Sequence, residues 1–164
     1  MKLEGKGIKM EERELSERGR EQEAEVQSLV LRLRQYQAQA ETTSQEMVFV
    51  RQAIGEHEKA IETIKQLKRM KAGDEMIVPI GANSYIYVTL GNTDKIIVRI
   101  GGGVSAEKDP DSSMEYLKEK KKELENSQRE MAGVLQRIEQ EAQKIQTRLQ
   151  EIAAAGSSGA GAGR

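Results

Sequence analysis

The chain has 164 residues, of which 37% are hydrophobic, 3% aromatic and 32% charged. That is thin for a globule with a filled core and ordinary for helices that each bury one narrow stripe. A net charge of −1 offers no electrostatic footprint for nucleic acid or an anionic membrane, and the absence of cysteine excludes a disulfide framework and thiol chemistry.

No apolar run approaches the roughly 20 residues of a membrane span. The opening MKLEGKGIKMEERE has no apolar stretch between its charges and no cleavage site, so it does not read as a secretory signal. Together these features point to a cytoplasmic protein. Residues 1–20 read as a flexible or frayed lead, with Gly5, Gly7 and Gly19 and little periodicity.

A regular helical spacing follows over residues 21–72. Val26, Leu29, Leu33, Tyr36, Ala40, Thr43, Met47, Val50, Ile54, His57, Ile61 and Ile64 step by three and four without a break. This is a heptad a/d series, the signature of a coiled coil. Gly73 stands where a left-handed C-terminal cap is expected, and Lys68, Arg69 and Lys71 suit the negative end of a helix.

Over residues 73–109 the period drops to two. Met76, Val78 and Ile80 form a first strand, Tyr85 to Thr89 a second, Ile96 to Ile100 a third and Val104 to Glu107 a fourth. Gly81-Ala82-Asn83, Gly91-Asn92 and Gly101-Gly102-Gly103 separate them. Pro79 has no N–H to donate, which places its strand at an edge or a bulge. Two hairpins of short strands are marginal in water, and their unpaired edges invite other chains. The expectation is assembly through the hairpins into a closed intersubunit sheet or barrel. Its contact residues would be Met76, Val78, Ile80, Tyr85, Tyr87, Ile96, Val98, Ile100 and Val104.

Asp109 and Pro110 are a favoured N-cap and first helical residue. Heptads then run over residues 110–153 through Met114, Leu117, Lys121, Leu124, Gln128, Met131, Leu135, Ile138, Ala142, Ile145, Leu149 and Ile152. Lys121 and Gln128 at a positions cost stability and fix register. Residues 154–164 are glycine, alanine and serine but for the final arginine, and read as a flexible tail. The fold expected is mainly α with a β insert: a long antiparallel two-helix coiled coil bearing two central β-hairpins. Helices of about 40 to 45 residues would reach roughly 60 to 70 Å. Leu15, Val26, Leu29, Leu149 and Ile152 would stand near the free tip, where fraying exposes apolar side chains.

The residues suggest no catalysis, no cofactor and no metal. His57 is the single histidine and falls in the seam, a poor start for a transition-metal site. The glycine triplet lacks the Lys-Ser/Thr of a nucleotide loop and reads as a strand turn. KEKKK at 118–122 reads as a solvated helix face. Tyr85 and Tyr87 share one strand face and read as sheet packing.

YQAQ at Tyr36 to Gln39, VPIGANSYI at Val78 to Ile86 and TDKIIVRIGGGVSAEK ending in Lys108 occur in order around a double hairpin. In this the chain, from Leu29 to Ile152, resembles archaeal alpha-class prefoldin subunits; beta-class subunits carry a single hairpin. It departs from them in its longer N-terminal lead and its Gly/Ala/Ser tail. The resemblance implies a heterohexamer of two alpha-class and four beta-class subunits on a double β-barrel platform. It also implies an ATP-independent holdase that captures unfolded protein at the coiled-coil tips and passes it to a group II chaperonin. The alternative from the residues is a structural scaffold or filament built through the same hairpins.

Overall fold

The computed structural model describes the backbone of residues 4–159 and the side chains of residues 13–156. Elements follow in the order α1 (Glu4–Leu67), β1 (Glu75–Gly81), β2 (Ser84–Thr89), β3 (Ile96–Gly101), β4 (Val104–Lys108) and α2 (Pro110–Gly159). The chain divides into two units, one of Met1–Glu46 with Met131–Arg164 and the other of Met47–Glu130.

In the first unit α1 and α2 run antiparallel. Every a and d position of the heptad series from Val26 to Thr43 and from Met131 to Ile152 is buried or half-buried. Ile138 and Ile145 are the most enclosed, at 6% and 4% exposure. Arg148 grips Glu25 across the pair through Nε and a second guanidinium nitrogen, at 2.8 and 3.3 Å. The Glu141 carboxyl is held below its usual range by Lys144, with Arg32 of α1 adding to the effect.

In the second unit the same pairing continues under the hairpins. Met47, Ile61, Ile64 and Met114 are buried at seam positions, and Val98 of β3 is buried as well. Lys121, at its a position, reaches Glu58 of α1 at 2.8 Å and Glu125 at 3.4 Å. The expected cost of a polar seam residue is thus offset by ion pairs at the seam edge.

The strands form two separate two-stranded antiparallel sheets, β1 with β2 and β3 with β4. Gly81 pairs with Ser84 around Ala82 and Asn83, and Gly101 pairs with Val104 around Gly102 and Gly103. All four loop residues have positive φ: 46°, 56°, 57° and 78°. Such two-residue loops match the twist of a hairpin and favour glycine or asparagine. Each hairpin breaks register one residue before its turn, at Ile80 and Ile100. Pro79 therefore lies on a strand with one neighbour and beside a bulge, where its missing N–H is tolerated.

The two hairpins are one element written twice. Met76-Ile77-Val78-Pro79-Ile80-Gly81 and Ile96-Ile97-Val98-Arg99-Ile100-Gly101 occupy equivalent places. Each residue lies 20 positions before its counterpart, as Val78 does before Val98, and pairing, bulge and turn repeat with it.

Three boundaries differ from the sequence expectation. First, α1 is helical well upstream of Val26, through the segment read as a frayed lead. Glutamate, lysine and arginine are good helix formers even where no seam exists. Second, α2 runs on to Gly159, into the segment read as a flexible tail, where the alanines carry it. Residues 1–3 of the lead and 160–164 of the tail lie outside the described residues. Third, α1 ends at Leu67 and Gly73 does not cap it. Gly73, at φ 96°, donates its N–H to the Leu90 carbonyl at 2.8 Å, and Leu90 N–H returns to the Asp74 carbonyl at 2.9 Å. Gly73 thus closes the base of the first hairpin.

Candidate interaction surfaces

Register assigns the strand side chains to faces. Directly opposed residues share a face, and successive residues alternate. In the first hairpin Met76, Val78, Ile86 and Val88 share one face, and Ile77, Pro79, Tyr85 and Tyr87 the other. In the second, Ile96, Val98, Ala106 and Lys108 share one face, and Ile97, Arg99, Ser105 and Glu107 the other. Exposure separates the two faces. Val98 is 6% exposed, whereas Tyr87 is 80% and Ile97 73% exposed. We call these the inner and outward faces.

The inner face of the second hairpin sits over its own helices. All of β3 from Ile96 to Gly101 borders a cleft of about 890 Å³, with Ala60, Ile64 and Leu67 of α1 and Leu117 of α2. His57 is at its wall, and one ring nitrogen, Nδ1, lies 2.7 Å from the Ala53 carbonyl. Lys108 leaves the strand over the Tyr116 ring at 5.9 Å.

Of the residues singled out from sequence for assembly, Met76, Val78, Ile96 and Val98 lie on these inner faces. Val98 is buried within the single chain. Tyr85 and Tyr87 do share one face, and it is outward. Ile80, Ile100 and Val104 flank the turns and are largely exposed. Two residues of the outward faces were missed, Ile77 and Ile97. The signal for them was the 20-residue repeat, which places both at the same step of the same element.

Of the five predicted tip residues, Leu15 is 68% exposed. Val26, Leu29, Leu149 and Ile152 are half-buried in the seam of the first unit. Among the described residues, the side chains of α2 beyond Ile152 are alanine and glycine alone, none of them a large apolar group. Other exposed apolar residues on α1 are Leu31, Val48 and Phe49, all off the heptad seam.

The second helix opens as its sequence dictates. Asp109 accepts the Ser112 N–H at 2.9 Å and the Ser112 hydroxyl at 2.6 Å. The Ser112 hydroxyl and then its N–H hold the Asp109 carboxyl below the usual carboxylate range. Ser113, fully buried, donates its hydroxyl to the Asp109 carbonyl at 2.8 Å.

Among the described residues no group of three or more His, Cys, Asp or Glu is placed to hold a metal ion. No helix among them is long and apolar enough to cross a membrane. The chemistry these surfaces offer is apolar contact and strand-edge pairing.

The family model described as prefoldin subunit matches residues 36–155. The chain belongs to the prefoldin family. Among its relatives, the prefoldin subunit alpha of Methanosarcina mazei is 36% identical over 131 residues, 78% of this chain and 92% of the relative. That of Archaeoglobus fulgidus is 30% identical over 132 residues, 80% of this chain and 94% of the relative. A cryo-EM structure of filamentous PFD from Methanocaldococcus jannaschii has the same fold, with a TM-score of 0.54 at 23% identity. The match covers 75% of this chain and 96% of that one. Two long helices joined through two small antiparallel hairpins are thus the prefoldin arrangement, and the prefoldin match begins at Tyr36, the first residue of the YQAQ stretch.

Proposed function

We propose that this chain is the alpha-class subunit of an ATP-independent prefoldin holdase. It assembles through its hairpins with beta-class subunits, two alpha to four beta. It binds unfolded or nascent proteins at the coiled-coil tips and delivers them to a group II chaperonin in the cytoplasm. The observation that carries this reading is the pair of outward hairpin faces. Ile77, Tyr85, Tyr87 and Ile97 are each more than half exposed on sheets of only two strands, in a chain of the prefoldin family. A surface of that kind is stable in water only when another chain covers it.

Capture at the tip is supported by Leu15, and by seam residues Val26, Leu29, Leu149 and Ile152 at the end of the regular heptads. Several weak contacts acting on one client gain by effective concentration without any single tight site. The charge of the helices keeps a loaded complex in solution.

The test has two parts. Native mass spectrometry after co-expression with a beta-class partner reads stoichiometry and closure. Aggregation of a denatured client is then followed with intact complexes and with complexes lacking residues before about Val26 and after about Leu149. The truncated complexes assemble normally and lose protection. Protection equal to that of intact complexes removes the tip mechanism.

A second reading, a filament-forming scaffold, is favoured by one observation: the solved relative from M. jannaschii is itself described as filamentous. An open-ended polymer of this chain alone, instead of a closed particle, decides for it.

A further inference from the structure

The repeat lets the two outward faces be compared position by position. From Ile77 to Tyr87 the first hairpin's outward face is Ile77, Pro79, Tyr85 and Tyr87, with no charge. The equivalent places in the second are Ile97, Arg99, Ser105 and Glu107. Glu107 is taken up within the hairpin by Lys95, at 3.0 Å. Among the described residues the Arg99 side chain has no ion-pair or hydrogen-bond partner. It lies two residues along β3 from Ile97, on the same face, and Ile97 is 73% exposed.

These facts separate the partners of the two hairpins. An interface that covers Ile97 also takes water from the base of Arg99. A cation desolvated without a counter-charge costs several kcal/mol, whereas one met by a carboxylate in fork geometry is well satisfied. The first hairpin makes no such demand, because proline stands where the arginine would be. We propose that the second hairpin docks on a partner strand presenting a carboxylate to Arg99, and that Arg99 sets which subunit the second hairpin accepts. This rests on the assembly reading above and adds to it a rule of partner choice. An arginine fork is selective in this role, since a partner strand with an apolar or basic residue at that place leaves it unpaired.

Arg99 is exposed and unpaired, so its substitution leaves the fold of the single chain intact, as a melting curve followed by circular dichroism verifies. Association of the chain with a beta-class prefoldin subunit is measured by titration at about 0.05 and 0.5 M salt, between which screening rises steeply. Unsubstituted chain binds more weakly at high salt. Arg99→Gln weakens binding about 10-fold at low salt and flattens the salt dependence, Arg99→Lys retains part of both, and Arg99→Glu weakens binding further still. Substituting the carboxylate on the partner strand with lysine restores binding to Arg99→Glu. The proposal is overturned if Arg99→Glu binds as tightly and with the same salt dependence as the unsubstituted chain. It is equally overturned if Arg99→Glu disrupts only self-association, which makes the partner a second copy. Failure of the unsubstituted chain to bind any beta-class subunit sinks the assembly reading itself, and is visible before any variant is made.

Discussion

Two kinds of single residue set the stability of the helices, and both are open to test. Asp109 caps α2 through the Ser112 hydroxyl and N–H, which favours its ionised form. Because the folded carboxyl titrates below its unfolded value, its contribution is full above the unfolded pKa. It is lost as pH falls through the folded one. Asp109→Asn, which keeps the acceptor but not the charge, therefore retains most of the neutral-pH melting temperature and reduces the fall between about pH 5 and pH 2. Asp109→Ala loses the cap and melts lower at every pH. Circular dichroism melts across that range check both. Gly55 and Gly133 lie inside α1 and α2, and nothing beyond the local backbone of the helix stands within 4 Å of where a Cβ would be built on either. Nothing in the fold uses their freedom. Each Gly→Ala change should raise stability by roughly 0.5 to 1 kcal/mol, read as a shift of the denaturation midpoint with unchanged slope.

At the scale of the element, the helices and the hairpins were legible to different depths. The heptads were read fully, because a period near 3.5 contrasts apolar against charged at every step, and all the a and d positions named from sequence are sheltered. Helix ends were not, because they depend on propensity and on competing bonds. Gly73 had the chemistry of a cap and was claimed by Leu90 instead. The strands were placed within about a residue, but which face turns outward was not, since successive residues such as Met76 and Ile77 are both apolar and alternation gives no contrast. The repeat supplies a direct measurement of what the faces are worth. Val98 is buried over the helices while its counterpart Val78 is half-buried. Val98→Ala removes about two methylene equivalents from a packed site and should cost about 1 to 2 kcal/mol. The same change at Val78 should cost about half as much. Equal costs in parallel denaturant titrations would mean that the second hairpin is not anchored by this contact.

For the whole molecule, stability of the single chain and competence to assemble reside in different residues. The seam and the Val98 contact of the second hairpin are satisfied within one chain, as the buried Ile61, Ile64, Val98, Ile138 and Ile145 show. The outward faces are not: Tyr85 is 62% and Tyr87 80% exposed. A side chain so exposed contributes little to its own fold, so Tyr85→Ser with Tyr87→Ser should leave the unfolding free energy of the isolated chain within about 0.5 kcal/mol per site. Tyrosines covered at the centre of an interface typically contribute about 2 kcal/mol or more each, so either substitution should weaken assembly about 30-fold and the pair up to about 1000-fold. Melting of the isolated chain and dilution-dependent dissociation of the complex, measured on one preparation, separate the two effects. Loss of both together would place the tyrosines in the fold of the single chain. Loss of neither would leave Ile77 and Ile97 as the groups that another subunit covers.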